Sequence, residues 1–360
     1  MVARRQFIQS FLFYSLFPLD LFAKTNGKKG LYLIGASSKS DQEQNYLWGM
    51  DLDTGRQFKV PVGFRIHSIF PSQNKSEVSI VGQWEKEISR IALGQEKLLA
   101  SKNIGLEKAK FVGHGFYDHQ GDYLYTTAAQ YSHYNKNGAG KGIILKYSLK
   151  NLEVVDQIPS YGPEPHEIFP LTGKQALVLN AGIGPEKAPI SLPESNISLI
   201  NYETGKLLKK WDLKEKGLFA AHGTKFNEKE FVFVGGKYLK SGDKTPMALK
   251  FPGTLKQFKL SKDLKNSPFL SVVTDASNGI AAATHPETGT LSFWDFKTGN
   301  IIKVVKLGDT LKGVSLTLNK SHFVANSTEQ VFLINTKNLT LEKTIRPKNL
   351  LLNGAHSIFI

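Results

Sequence analysis

From residue 30 onward, short apolar runs alternate with turn residues, and the runs carry the two-residue period of β-strands rather than a helical period. The stretches 30–38, 46–52 and 57–62 read as three successive strands. Between the second and third, Asp53-Thr54-Gly55 supplies a tight turn, because Asp and Gly tolerate the left-handed backbone such turns need. The same ending recurs at Asn201-Tyr202-Glu203-Thr204-Gly205 and at Asp295-Phe296-Lys297-Thr298-Gly299, with a looser copy at Asn335-Thr336-Lys337-Asn338.

A histidine followed by an apolar run repeats in step with these strands. It occurs at Ile66-His67-Ser68-Ile69-Phe70, Gly113-His114-Gly115-Phe116, Pro165-His166-Glu167-Ile168-Phe169, Ala221-His222-Gly223-Thr224 and Ala355-His356-Ser357-Ile358-Phe359. Leu270 and Val314 occupy the same phase, so seven starts follow one another at intervals of 42–56 residues. Each interval has room for about four short strands, which predicts an all-β, seven-bladed β-propeller. The last start, at 354–360, has no strands after it, and the strands of 30–62 have no first strand of their own. The predicted solution is that 354–360 forms the innermost strand of the blade that 30–62 completes, which leaves no unpaired inner edge.

On this frame the histidine opens each innermost strand at one mouth of the central channel. The connections between second and third strands emerge on the same face, and 38–45, 128–141, 182–196 and 236–245 read as long loops. Those at 286–289 and 327–330 are short, and Leu270 and Val314 face the histidines as an apolar wall. Long loops on a rigid scaffold are where binding residues collect.

Composition narrows the chemistry. The chain of 360 residues has no cysteine, so disulfides are excluded and any metal site must use nitrogen and oxygen ligands. Residues 1–23 read as an export signal: Arg4-Arg5 precedes the apolar run Phe11-Leu12-Phe13-Tyr14-Ser15-Leu16-Phe17, and Leu21-Phe22-Ala23 offers a cleavage site. The arginine pair resembles a twin-arginine signal, with the ordinary secretory route as the alternative. Cleavage near Ala23 would leave 24–360 as a periplasmic propeller, expected to be a monomer. Losing two Arg and one Asp from a chain of net charge +15 leaves (46 − 2) − (31 − 1) = +14. That charge is nearly all scattered lysine, which suits peripheral contact with a membrane face and argues against nucleic-acid binding.

Several blocks resemble the family known as domain of unknown function 1513. They are Gly113-His114-Gly115 with Leu124-Tyr125-Thr126-Thr127, and Gly162-Pro163-Glu164-Pro165-His166-Glu167 with Leu177-Val178-Leu179-Asn180-Ala181-Gly182-Ile183. Pro246-Met247-Ala248-Leu249 and the stretch 279–299 add to them. The chain departs from the family pattern at Ala128-Ala129, where an acidic residue and Asn are usual, and at Ala221, where Arg is usual. The resemblance implies an exported propeller with an iron-linked envelope role and an imelysin-like iron-uptake protein as partner, without implying an activity.

His67, His114, His166, His222 and His356 are the candidate metal ligands, because neutral imidazole binds Fe, Cu and Zn. Spread over five blades, they are expected to serve an ion as a subset of three, helped by a loop carboxylate such as Glu164 or Glu194. Arg65, Glu164, Glu194 and His133 are expected around the channel mouth. The competing reading is structural, since a Gly-His pair before an inner strand can hydrogen-bond within its own blade. No Ser–His–Asp order or paired carboxylates suggest hydrolysis, and Gly138-Ala139-Gly140-Lys141-Gly142 lacks the strand–loop–helix setting of a phosphate loop. Three functions remain open: a binding or accessory propeller for metal uptake, a metal-dependent oxidoreductase or lyase, and an interaction scaffold.

Overall fold

The computed structural model describes residues 28–360 except 185–192, 214–216, 239–243, 252–255, 262–263, 265–266 and 309. The export signal expected at 1–23 lies outside the described residues. Strands fill the fold, with a short 3-10 turn at Thr172–Lys174. No helix of the described residues is long and apolar enough to cross a membrane.

The strands form seven antiparallel four-stranded sheets. The first blade contains β1 (Leu31–Ser38), β2 (Asn45–Asp51) and β3 (Gln57–Val62), and the second contains β4 (Ser68–Pro71), β5 (Glu77–Val81), β6 (Glu87–Ala92) and β7 (Lys97–Asn103). The third holds β8 (Ala109–Tyr117), β9 (Tyr123–Tyr134), β10 (Gly140–Ser148) and β11 (Glu153–Pro163). The fourth holds β12 (Pro165–Leu171), β13 (Gln175–Asn180), β14 (Asn196–Asn201) and β15 (Leu207–Asp212). The fifth runs from β16 (Leu218–Lys225) through β17 (Phe231–Tyr238) and β18 (Lys244–Phe251) to β19 (Lys256–Gln257). The sixth runs from β20 (Val272–Asp275) through β21 (Ile280–His285) and β22 (Thr290–Asp295) to β23 (Ile301–Lys306). The seventh comprises β24 (Val314–Leu316), β25 (His322–Asn326), β26 (Val331–Asn335) and β27 (Leu341–Ile345), and β28 (Leu350–Phe359) returns to the first blade. There it pairs antiparallel with β1, Tyr32 opposite Phe359 and Ser38 opposite Leu350. Innermost strands touch in the order β4, β8, β12, β16, β20, β24, β28 and back to β4, which closes the ring.

Alternation along each strand explains why the ring holds. In β1, Tyr32, Ile34 and Ala36 pack on Val324, Val331 and Leu333 of the seventh blade, while Leu33 packs on Ile69, Val78 and Ile80 of the second. Successive strand residues point to opposite faces, so each blade is apolar on both sides and is buried between two neighbours. The core is accordingly seven apolar clusters, one at each interface between neighbouring blades. Burying one Leu, Ile or Phe in such a cluster contributes about 1.5–3 kcal/mol.

Two connections differ from their sequence reading. The long loop expected at 128–141 is mostly strand: β9 continues to Tyr134, opposite Gly140 of β10, leaving a five-residue turn at 135–139. Asn135 closes that turn, its Oδ1 accepting the backbone N–H of Asn137 and Ala139 at 2.9 Å, and Gly138 takes the positive φ of 72°. The run 123–134 is rich in Tyr and Thr, residues that favour strands, and it overruns the blade as a hairpin. Likewise β17 and β18 take up both ends of the loop expected at 236–245, through Tyr238 and from Lys244, and 239–243 lie outside the described residues.

Candidate metal centre

The innermost strands are irregular where the histidines fall. In β8, Phe111 pairs with Ala128 and Gly115 with Thr126, so Val112, Gly113 and His114 lie opposite Thr127 alone. The hydroxyls of Thr126 and Thr127 donate to the displaced His114 carbonyl at 3.2 and 3.1 Å. In β12, His166 is the extra residue between the pairs Pro165–Asn180 and Glu167–Leu179. In β16, Ala221 is extra, immediately before His222. In β28, residues 353–356 bulge out opposite Gly35. His67 directly precedes β4, and its N–H donates to Val81 at 2.9 Å. The expectation that the histidine opens the inner strand therefore fits His67 best. His114, His222 and His356 lie inside longer strands, because the overrunning hairpins extend them upstream of the bulge. A bulge kinks a strand and re-aims a side chain, and such an irregularity accompanies His114, His166, His222 and His356.

The five rings converge there. Ring centres are 4.4 Å apart for His114–His356 and His166–His222, 4.5 Å for His222–His356 and 4.9 Å for His67–His356. The widest separation given by the ring contacts is 6.3 Å, for His67–His222. Two groups of three are able to hold a metal ion, His67–His114–His356 and His114–His166–His222, with one ligand atom from each residue within 4.8 Å of the others. His114 belongs to both.

Burial sets the electrostatics. All five imidazoles are held below their ordinary pKa, first by desolvation, which drives His166 to about 4 and His356 to about 3. His67, His114 and His222 lie well below 6.5, with the neighbouring histidines adding to the effect. At neutral pH the rings are uncharged and keep lone pairs for a ligand. Four ring nitrogens, Nε2 of His67, His114 and His356 and Nδ1 of His222, are buried without a hydrogen-bond partner in the protein. Buried unpaired polar atoms are costly, and their clustering at one point marks a place for a ligand.

Glu167, which carried no weight in the sequence, sits 3.4 Å through Oε1 from Nδ1 of His114. It is buried, accepts the N–H groups of Ile168 and Gly223, and is pushed well above the carboxylate range by desolvation. Its only sequence signal was its place next to His166. Glu164, by contrast, has both oxygens engaged: Oε1 accepts from Tyr131 Oη at 2.5 Å and Trp84 Nε1 at 3.2 Å, and Oε2 from Gly140 N–H at 3.1 Å. It fastens three blades together and joins neither histidine group. Glu194 is partly exposed beside Gly182 and also belongs to neither. Arg65 is exposed two residues before His67, and its guanidinium donates to the Asn353 carbonyl from Nε at 3.3 Å and Nη2 at 3.1 Å. His133 lies in β9, and its side chain is outside the described residues.

The third and fourth blades approach closely at this centre. A Cβ at Gly113 would sit 1.8 Å from the His166 carbonyl oxygen, a backbone atom with no freedom to withdraw. Gly113→Ala is expected to destabilise the protein by about 3 kcal/mol or more, because only a shift of β8 against β12 relieves the overlap. Chemical denaturation of the variant checks this, and an unchanged midpoint would refute the close approach.

The family model for proteins of unknown function designated DUF1513 matches residues 60–352. The chain belongs to the DUF1513 family. None of the curated proteins compared matches this DUF1513 member by sequence. Solved structures similar to it include hydrazine synthase from Kuenenia stuttgartiensis, at 9% identity and a TM-score of 0.63, covering 87% of this chain and 95% of that one. A putative 6-phosphogluconolactonase from Bacteroides fragilis is similar at 15% identity and a TM-score of 0.62, covering 94% and 99%. At such identities the likeness is one of fold, and the histidine centre of the DUF1513 chain stands on its own geometry.

Proposed function

We propose that this propeller binds a first-row transition-metal ion, Fe, Cu or Zn, at the five-histidine centre on its axis. The observation that carries the reading is the convergence of uncharged imidazoles with four buried, unpartnered ring nitrogens. Nitrogen ligands bind such ions at about 2.0–2.1 Å, which sets ring centres roughly 4.5 Å apart for adjacent ligands and about 6.4 Å apart for opposite ones. The spread of 4.4–6.3 Å supports a single ion shared among the rings, with His114 common to both groups. Glu167 is positioned to receive the Nδ1–H of His114, the usual outer partner of a ligating histidine, which directs Nε2 to the metal.

Within this reading the protein is exported to the periplasm and serves metal uptake as a binding or accessory component beside an envelope partner of the imelysin type. The signal-like residues 1–23 and the family resemblance support that part. A metal-dependent enzyme is the second reading, favoured by a cavity that opens onto His67.

Metal analysis of protein isolated from its native host, followed by titration of the metal-free protein with Fe(II), Cu(II) and Zn(II), tests the proposal. About one equivalent of tightly bound metal is expected. Protein that arrives metal-free and takes up none of the three would overturn it.

A further inference from the structure

A cavity of about 250 Å³ lies on the second blade, with Arg65, Gln83, Trp84 and Glu85 among its walls. At roughly 30 Å³ per water it has room for a ligand of several heavy atoms. Arg65 and Glu85 are both exposed. They bring opposite charges to one cavity, yet neither forms an ion pair with the other or with any described residue.

The backbone beneath both charges is fixed. Arg65 is clamped by its two bonds to the Asn353 carbonyl. A guanidinium has five donors, so the clamp leaves Arg65 with N–H groups to spare. Glu85 follows Trp84 in the turn 82–86 between β5 and β6. There the Trp84 N–H donates to the Phe111 carbonyl at 2.7 Å, and the Phe111 N–H donates to the Glu85 carbonyl at 2.9 Å, which ties the turn to the third blade. Trp84 takes a φ of 59°, a left-handed backbone that is costly for a bulky side chain, and such outliers collect at ligand clamps. Its indole N–H is held by Glu164. Gly82 lets the turn close on residue 65: a Cβ there would sit 2.6 Å from Glu85 Cγ and 2.8 Å from the Arg65 carbonyl oxygen. A cation and an anion thus stand on rigid supports around one space, with the half-buried Trp84 and Gln83 as its neutral walls. A simple anion entering it is repelled by Glu85 and a simple cation by Arg65, whereas a molecule carrying both charges meets a complementary partner at each end.

We propose that this cavity binds a small zwitterion of the α-amino acid class. Its carboxylate sits on the Arg65 guanidinium and its ammonium on the Glu85 carboxylate, with the Trp84 indole beside the cationic end, where a ring face attracts positive charge. The site uses none of the histidine nitrogens, so it stands or falls separately from the metal centre.

Isothermal titration of the full chain, free of metal, with L-alanine tests the proposal. Propionate, which lacks the ammonium, and ethylammonium, which lacks the carboxylate, are the controls. L-Alanine is expected to bind saturably at one site, at least about tenfold tighter than either control. Glu85→Gln is expected to weaken L-alanine about tenfold or more and to leave propionate no weaker than in the wild type, whereas Arg65→Gln weakens both. Because Glu85 is exposed, E85Q is expected to melt with the wild type, so its loss of binding is not a loss of fold. A wild type that binds no L-alanine, one that takes propionate as tightly, or an E85Q protein that binds L-alanine as tightly as the wild type overturns the proposal and leaves the metal reading standing.

Discussion

Replacing His114 with alanine is expected to lower metal affinity by more than about 100-fold, the largest effect of any single substitution at the centre. His114 is common to both groups of three, whereas His67 and His222 each belong to one. Loss of an outer partner of a metal ligand alone costs 10–100-fold, and a shared ligand carries more. Without metal, the same variant is expected to stay within about 1 kcal/mol of the wild type. Truncation loses packing, but it also removes a buried Nε2 with no partner, and such a group costs about 1–3 kcal/mol. The structural reading of the histidines makes the opposite forecast: a melting temperature several degrees lower and unchanged metal content. Isothermal titration of metal together with thermal denaturation of the metal-free proteins separates the two, and a destabilised variant with intact affinity would sink the ligand role.

The second large effect concerns acid. Folded, the five histidines resist protonation, His166 down to about 4, His356 to about 3, and the others well below 6.5. Unfolded, each titrates near 6.5. Between these values the unfolded chain binds protons that the folded chain does not, so stability is complete above about pH 6.5 and falls as the pH drops. At pH 5, holding His166 and His356 neutral costs about 2 kcal/mol each, and His67, His114 and His222 act in the same direction, against a whole stability of about 5–15 kcal/mol for an ordinary domain. The metal-free protein is therefore expected to lose most of its resistance to urea between pH 7 and pH 5. Bound metal should carry it to lower pH, since protons must then displace the ion as well. A urea midpoint that stays level down to pH 5 without metal would contradict the buried, uncharged state of these rings.

Much of the architecture was readable because a propeller repeats one physical problem seven times. Each blade needs apolar alternation and a turn after its third or second strand, and the Asp53-Thr54-Gly55 turn and its copies mark the beat. The pairing of 354–360 with the strand from residue 30 followed from a blade that lacked a strand and a strand that lacked a blade, and β28 on β1 has that arrangement. What escaped was local distortion. Nothing in Val112-Gly113-His114 announces that three residues face Thr127, since a bulge depends on how the inner edge fits its neighbours. The hairpin of β9 and β10 looked like a loop because its turn chemistry, Asn135 to Gly138, is polar and glycine-rich, while the pairing that extends it leaves little mark on periodicity. Glu167 escaped because its partner, His114, lies 53 positions away in the chain and in another blade. Glu164 was noticed for the opposite reason: a carboxylate beside a histidine looks like a ligand until Tyr131 and Trp84 are found on its oxygens.

One group of three draws His356 from β28 and sets it beside His67, 289 positions earlier. These two rings meet only after the seam between β28 and β1 has zipped, a pairing between the most chain-distant strands of the fold and therefore slow to form. An ion held across that seam works as a rivet through an overlap: it cannot be set before the circle is complete, and once set it opposes the circle's reopening. Metal loading would then serve the cell as a proof of finished folding, with an unfinished ring carrying an incomplete set of ligands and letting the ion go.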